Sequence, residues 1–196
     1  QICSAAHQCN VPVFIDAEES WIQETIDRIA KEMMLRYNKN SAIVFNTLQM
    51  YRHDRLAYFQ REIDAAKADG HYLGVKIVRG AYMEKERNRA KEKGYPSPIQ
   101  PNKEASDADF NKALRLAIDH IDIVGLCAGS HNEDSAMLLT EIMAEKGLPN
   151  DHPSIHFAQL LGMSDHISFN LANAGYNVAK YVPYGPVKEV MPYLLR

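Results

Sequence analysis

The sequence predicts an α/β fold in which parallel strands alternate with helices. Short apolar runs typical of buried strands recur along the chain, and each leads through a polar or glycine-containing loop into a segment of helical periodicity. Strand–helix alternation of this kind predicts a parallel sheet with helices packed outside it. The predicted strands are Val11–Ile15, Ser41–Phe45, Tyr72–Val78, Ile121–Cys127, Ser154–Phe157 and Val178–Val182.

The predicted helices carry an apolar stripe opposite charged residues. From Glu18 to Tyr37, apolar side chains recur at steps of three, four and seven, which is the spacing of an amphipathic helix. The last of the clear helices stops before Gly147, a residue type that commonly ends helices. The other predicted helices are Asp54–Lys67, Glu104–His120 and Asn132–Lys146, with helix-like segments also at Gln1–Cys9 and before Arg196.

The number of strand–helix units leaves two architectures open. A closed (βα)₈ barrel typically takes about 250 residues and eight units, whereas six units fit into the 196 residues here. The alternatives are an open doubly wound sheet and a shortened barrel. The helix-like start at Gln1–Cys9 and the abrupt finish at Arg196 favour a (βα)₈ TIM-type barrel, truncated at the N-terminus and within the last helix. No linker interrupts residues 1–196, which predicts one partial domain.

Composition disfavours several function classes. The formal charge is −3, the pI is about 6.3, and basic residues alternate with acids, as in Glu84–Arg87, so we expect no nucleic-acid partner. The three cysteines form no CxxC pair, the histidines form no HExxH motif, and we therefore predict no metal. The chain has neither a GxGxxG nor a Walker motif, so barrel loops would have to hold any dinucleotide.

Polar residues follow each predicted strand, where a TIM-type barrel carries its site. They are Asp16, Gln49, Arg79–Tyr82, Ser130–Asn132, Gln159–Leu160 and Tyr181.

Several of these positions have two interpretations. Asp16 suits a helix N-cap as well as a site residue. Lys76 lies inside an apolar strand and is predicted to point into the barrel lumen, whereas Arg79 suits a surface or phosphate-facing role as well as a catalytic one. Residues 130–132 precede a helix whose N-terminal amides could bind an anion, although a lone histidine such as His131 is more often structural.

The final segment combines a phenol with a guanidinium. Tyr193 and Arg196 stand three apart, so on a helix they share a face. This pair suits a small, flat, anionic substrate.

An ordered set of motifs resembles the proline dehydrogenase family over essentially the whole chain. The motifs are Phe14–Glu19, Gln49–Tyr51, Val78–Glu84, Ala128–Glu133, Gln159–Met163, Tyr181–Gly185 and Pro192–Arg196. The resemblance implies a distorted (βα)₈ barrel, of which this chain would supply strands three to eight. It also implies FAD-dependent oxidation of L-proline to Δ1-pyrroline-5-carboxylate, with hydride transfer to flavin N5 and electrons passed to a quinone.

The resemblance also implies residue roles. Asp16 and Lys76 would be catalytic, with Lys76 near flavin N5 at a position where many bacterial relatives carry arginine. The implied cofactor-binding residues are Gln49, Lys76, Arg79, Gly80, Ser130, His131 and Asn132. The implied substrate-binding residues are Leu160, Tyr181, Tyr193 and Arg196, with a second arginine expected after Arg196 to complete a carboxylate clamp.

Alternatives remain open at this point. They are another flavin-barrel oxidoreductase, such as methylenetetrahydrofolate reductase, and a piece that folds without a cofactor. The resemblance implies the bacterial cytoplasm or inner-membrane periphery, which we favour, or the mitochondrial matrix side in a eukaryote. It is compatible with peripheral membrane association and oligomer formation in a longer parent.

Overall fold

The structure is a computed structural model that describes the backbone of residues 1–194 and the side chains of residues 1–191. Within that part of the chain, strands and helices alternate as the periodicity predicts. The strands, in chain order within one sheet, are β1 (Val13–Ile15), β2 (Val44–Gln49), β3 (Leu73–Val78), β4 (Val124–Gly129), β5 (Ile155–Leu160) and β6 (Val178–Tyr181). The helices are α1 (Ile2–Cys9), α2 (Ser20–Tyr37), α3 (Arg55–Asp69), α4 (Met83–Lys93), α5 (Lys103–Asp119), α6 (Glu133–Glu145), α7 (Asp165–Asn173) and α8 (Val187–Leu194).

The chain divides into two compact units, residues 1–126 and 127–196. In the first unit, β1 pairs with β2 and β2 pairs with β3, both in parallel, with Thr47 opposite Lys76. In the second unit, β5 pairs in parallel with β6, and Leu160 lies opposite Tyr181 at the carboxyl ends. Within each unit, the carboxyl ends of the paired strands therefore point in the same direction.

The register of β2 and β3 assigns Lys76 to a face of the sheet. The Asn46 amide donates to Asp27 of α2 at 2.9 Å, so Asn46 faces the helices. Side chains alternate along a strand, and Thr47 and its partner Lys76 therefore face the other way. Lys76 is thus a strand residue that points away from the helices, as predicted, whereas its position in a barrel lumen stays a prediction.

Apolar side chains fill the space between the sheet and the helices of the first unit. Phe59 of α3 and Phe110 of α5 are completely buried, as is Ile77 of β3. Burial of each such side chain contributes about 1.5–3 kcal/mol relative to exposure, which makes this layer the main source of stability.

A buried polar network ties α2 to β2 and α3. The Asp27 carboxylate accepts hydrogen bonds from Gln23 at 2.9 Å, Asn46 at 2.9 Å and Arg55 at 2.7 Å. Arg55 also donates to Asp54 at 2.5 Å. A buried carboxylate is tolerated when it is paired and hydrogen-bonded, and Asp27 meets both conditions.

Four local predictions are wrong or incomplete. Strand β2 extends to Gln49 and does not end at Phe45, so Gln49 is a strand residue. Helix α2 begins at Ser20 with Glu19 as its N-cap, which rules out the N-cap interpretation of Asp16. Helix α4 was not predicted because it has no apolar stripe: its buried residues are Glu86 and Ala90. Helix α7 also lay outside the predicted helices.

Asn38 anchors the amino-terminal ends of β2 and β3. It is fully buried, and its amide donates to the carbonyls of Val44 and Tyr72 at 2.8 and 3.0 Å. Its side-chain oxygen accepts from the backbone N–H groups of Ile43 and Val44 at 3.1 and 2.8 Å. The four bonds connect the end of α2 to the segments that lead into β2 and β3.

We expect Asn38→Ala to lower the free energy of unfolding by roughly 2–4 kcal/mol, because it leaves buried backbone groups without partners. Urea denaturation followed by circular dichroism measures the change. The matched control is Asn150→Ala, which removes one exposed side-chain bond, to the carbonyl of Ala174. Equal losses in the two variants would contradict the assigned role of Asn38.

Candidate functional site

In the first unit, an ion pair lies at the carboxyl ends of β1 and β3. The Lys76 ammonium pairs with the Asp16 carboxylate, and the Lys76 side chain is 19% exposed against 58% for Asp16. The ammonium also lies 5.8 Å from the centre of the Phe14 ring, a side chain that is itself partly exposed. A cation, an anion and an accessible aromatic ring therefore share one sheet face.

Gln49 bridges two loops at the same strand ends. Its amide nitrogen donates to the carbonyl of Glu18 at 2.8 Å, and its amide oxygen accepts from the N–H of Ala81 at 3.4 Å. The side chain is buried. Its predicted contact with the flavin edge stays a prediction, whereas its role in joining the loops after β1 and β3 is structural.

Arg79 is anchored to α5. Its Nε donates to Asp107, and its guanidinium lies 4.3 Å from the centre of the Phe110 ring. Burial alone would raise the pKa of Asp107, but hydrogen bonds from Lys103 and Arg79 hold that pKa below its ordinary value. The predicted cofactor contact of Arg79 is not tested by this arrangement.

Gly80 fits where no other residue would. Its φ is 135°, and a Cβ atom at this position would lie 2.6 Å from the ring of Tyr51. Tyr51 is buried beneath it, and burial raises the pKa of its hydroxyl to about 12. Packing against Tyr51 thus explains the glycine without reference to a ligand.

A surface pocket of about 500 Å³ follows β3 and is lined by residues 80–85. Tyr82 belongs to it, and its pKa is raised to about 12 by burial and by the neighbouring Glu18 carboxylate. The sequence placed Tyr82 in a polar loop but gave it no role of its own. Its position four residues after the end of β3 was the available signal.

In the second unit, the segment after β4 is built into the start of α6. The Asn132 side chain accepts from the N–H of Ser135 at 2.8 Å and so caps the helix, while the Ser130 hydroxyl accepts from the N–H of Asn132 at 3.0 Å. His131 Nδ1 lies 3.1 Å from the hydroxyl of Ser164. These contacts order the loop that was predicted to hold an anion.

The predicted substrate residues of the second unit lie at the ends of β5 and β6. Leu160 and Tyr181 are paired in register there, and Tyr181 is 47% exposed. Tyr193 lies in α8, but its side chain falls outside the described residues, and so does all of Arg196.

Two further properties concern the described residues alone. Among them, no group of three or more histidine, cysteine, aspartate or glutamate side chains is placed to hold a metal ion. No helix in this part of the chain has the length and apolar character needed to cross a bilayer.

Comparison with known proteins decides the family. The model of the family described as proline dehydrogenase matches residues 1–196. The chain belongs to the proline dehydrogenase family. It is 42% identical to proline dehydrogenase 1, mitochondrial, of Drosophila melanogaster and 41% identical to the human protein of that name, covering 100% of this chain and 30% and 33% of theirs. It is 39% identical to hydroxyproline dehydrogenase of Xenopus laevis, again over 100% of this chain and 43% of that protein.

The chain thus spans about a third of the length of the curated relatives it matches. Among solved structures, it is similar to proline utilization A from Bdellovibrio bacteriovorus inactivated by N-propargylglycine, with a TM-score of 0.90 and 23% identity over 98% of this chain and 20% of that one. A structure of proline utilization A with proline bound in remote sites matches with a TM-score of 0.83 and 22% identity over 99% of this chain and 20% of that one. These matches confirm the predicted α/β fold class of TIM-barrel type.

We expect Gly80→Ala to destabilise the protein by more than roughly 2 kcal/mol, because the added methyl group must displace the Tyr51 ring in a packed site. Gly70→Ala is the matched control, since Gly70 has a φ of 64° but no atom of the described residues lies within 4 Å of the added Cβ. The control should cost only the backbone strain of about 1–2 kcal/mol. Thermal unfolding of both variants measures the difference, and equal costs would contradict the packing explanation.

We expect His131 to titrate below its ordinary pKa of 6.5, because burial and the neighbouring Lys180 both disfavour its charged form. The neutral form therefore stabilises the fold above about pH 6.5, and this contribution is lost as the pH falls through the lower folded pKa. NMR titration measures the midpoint. Lys180→Met should raise it part of the way and Lys180→Arg should not; a midpoint unmoved by Lys180→Met would rule out the charge effect.

Proposed function

We propose that the chain carries flavin- and substrate-binding residues of an FAD-dependent proline dehydrogenase, which oxidises L-proline to Δ1-pyrroline-5-carboxylate. The observation that carries this proposal is the Lys76 ammonium on the sheet face opposite the helices, paired with Asp16 beside the accessible Phe14 ring. Membership of the proline dehydrogenase family supports it.

The chemistry of this face fits a flavin. A flavin offers a flat ring whose reduced form carries negative charge, and a nearby cation stabilises such charge in a site that excludes water. The Thr47 hydroxyl, next to Lys76 in the register, is buried and has no hydrogen-bond partner among the residues that the structure describes. When bound, FAD would supply flavin N5 as the acceptor of the hydride that leaves the proline ring, and a quinone would take up the electrons.

The chain's own residues would bind and orient the two ligands. Lys76 would supply the cation and Asp16 would fix its position. The remaining cofactor contacts would come from Gln49, Arg79, Gly80, Ser130, His131 and Asn132. Leu160, Tyr181 and Tyr193 would hold the substrate ring, and Arg196 would bind its carboxylate by charge-assisted hydrogen bonds, which contribute roughly 1.5–3 kcal/mol each.

A second candidate substrate is 4-hydroxyproline. Relatives named hydroxyproline dehydrogenase match almost as well as those named proline dehydrogenase, at 39% against 42% identity. The two substrates share the ring nitrogen and the carboxylate, so the same residues would serve either. The family match disfavours the methylenetetrahydrofolate reductase alternative.

We propose a compartment from the identities to the mitochondrial and bacterial relatives. The mitochondrial proteins of fly and human are 42% and 41% identical to this chain, while the proline utilization A structures from Bdellovibrio bacteriovorus and Bradyrhizobium japonicum are 23% and 21% identical. These identities support the eukaryote-like branch and the matrix side of mitochondria, in preference to the bacterial cytoplasm or inner-membrane periphery that the sequence alone favoured.

We expect Lys76→Met in the full-length protein to slow proline-dependent bleaching of the flavin absorbance roughly ten- to thousandfold, because it removes the cation. Lys76→Arg should retain most of the rate. Lys112→Met is the matched control, since Lys112 is an exposed lysine of the same unit that pairs with Asp109. Stopped-flow spectroscopy with saturating L-proline measures the rate.

The outcomes separate the alternatives. If 4-hydroxyproline bleaches the flavin absorbance and proline does not, the substrate is 4-hydroxyproline. If only NAD(P)H bleaches it, a folate-type reductase is favoured. A wild-type protein that retains flavin but ignores both amino acids would end the proposal. Bleaching of Lys76→Met at the wild-type rate would remove Lys76 from the mechanism.

A further inference from the structure

Helix α4 approaches the N-terminus of α2 through a buried carboxylate. Glu86 is fully buried, and its two oxygens accept hydrogen bonds from the backbone N–H of Ser20 at 2.5 Å and from the Ser20 hydroxyl at 2.7 Å. Ser20 is the first residue of α2, where free N–H groups and the helix dipole attract a negative charge. The Glu86 carboxylate therefore lies where α2 stabilises it.

Glu86 belongs to α4 but caps the N-terminus of α2, as an N-cap side chain would. The N-cap residue of α2, Glu19, makes no side-chain capping bond to its own helix. It pairs instead with Lys85, which lowers the pKa of the Glu19 carboxyl. The start of α2 is thus capped by a residue 66 positions later in the chain.

Two further contacts lie beside this buried one. Lys85 pairs with Glu19, and the Arg89 guanidinium lies 4.1 Å from the centre of the Trp21 ring. The Lys85 side chain is 59% exposed against 13% for Glu19, and water screens an ion pair that is open on one side, which lowers its contribution to stability. The buried Glu86–Ser20 contact therefore dominates the join, which we call the α2–α4 clamp (Glu86–Ser20, Lys85–Glu19 and Arg89–Trp21).

The clamp connects two segments of the candidate site. The loop of residues 16–19, which carries Asp16, leads directly into Ser20, and the pocket segment of residues 80–85 leads directly into Glu86. Gln49 joins the same two segments from the sheet side through Glu18 and Ala81. The loop of residues 16–19 is therefore held at its start by β1 and at its end by Glu86.

We propose that Glu86 is a positioning residue, whose buried carboxylate fixes the loop of residues 16–19 so that Asp16 stays paired with Lys76. This role rests on the proposed proline oxidation, because it acts on a residue pair assigned to that reaction. Glu86 touches neither Asp16 nor Lys76 in the described contacts, and its effect passes through Ser20 and the loop.

The test uses three variants of the full-length holoenzyme. Glu86→Ala removes both hydrogen bonds. Glu86→Gln can keep both, since its amide oxygen accepts from the N–H of Ser20 and its amide nitrogen donates to the hydroxyl. Asn38→Ala destabilises the same unit at the opposite end of α2 and of the strands, and serves as the control for lost stability.

We expect Glu86→Ala to speed amide hydrogen exchange in residues 16–20 at least tenfold and to slow proline-dependent flavin reduction at least tenfold. Glu86→Gln should stay within threefold of wild type in both measurements. Asn38→Ala should stay within twofold at these amides and in the rate, despite a similar fall in melting temperature. Equal changes in Glu86→Ala and Asn38→Ala at matched stability would overturn the proposal.

Two further arms keep the result decisive. If Glu86→Ala does not fold, Ser20→Ala, which removes only the hydroxyl bond, should change both readouts in the same direction by about two- to fivefold; no change would overturn the proposal. If the wild type shows no bleaching by proline, the proposed function fails separately. The exchange measurement then still decides whether Glu86 fixes the loop.

Discussion

The arrangement of the candidate site depends on one constraint, a charged amine in the middle of a parallel strand. Thr47 lies opposite Lys76 in the register, and this pairing turns Lys76 away from the helices that cover the other face of the sheet. A partly buried ammonium needs an anion or water, because desolvation of an unpaired charge is costly. Asp16, the residue that follows β1, supplies that anion, and the register of the strands brings it level with Lys76. The start of α2 and the contact with α4 follow from the position of the loop after β1.

The two ends of the strands in the first unit use polar groups differently. At the amino-terminal ends, Asn38 satisfies four backbone groups and leaves little for a ligand to bind. At the carboxyl ends, Gln49 and Glu86 hold loops, while Lys76 remains partly exposed. TIM-type barrels commonly divide stability and function between their two faces in this way. In this unit, the Asn38 side chain at the amino-terminal ends makes its four hydrogen bonds within the protein. At the carboxyl ends, the polar side chains of Gln49 and Glu86 hold loops in place.

The sequence predicted what depends on local periodicity. Apolar runs and amphipathic stripes identified the alternation of strands and helices, and the strand ends located Asp16 and Gln49. Lys76 stood out as a charged residue inside an apolar strand. It could not predict α4, whose buried residues are Glu86 and Ala90, because a helix held by a buried carboxylate has no apolar stripe to recognise. Nor could it predict that Glu84–Arg87, an ordinary mixed-charge run, contains a completely buried acid. The hydrogen-bond partner of that acid, Ser20, lies 66 residues away, and no local pattern encodes their contact.

A residue that holds two loops together can also bind a ligand if it has hydrogen-bonding groups to spare, and Gln49 is such a residue. The Gln49 amide has two donor hydrogens and an oxygen with two lone pairs, and its described contacts use one of each. It can therefore fix the loops and still offer a donor to a ring edge, in an orientation that the loops themselves determine. Arg79 differs, because Asp107 holds it by hydrogen bonding and its planar face rests on Phe110. These contacts fix Arg79 against α5, whereas the partner of Lys76, Asp16, is itself exposed to solvent. The stronger claim to a direct role therefore belongs to Lys76.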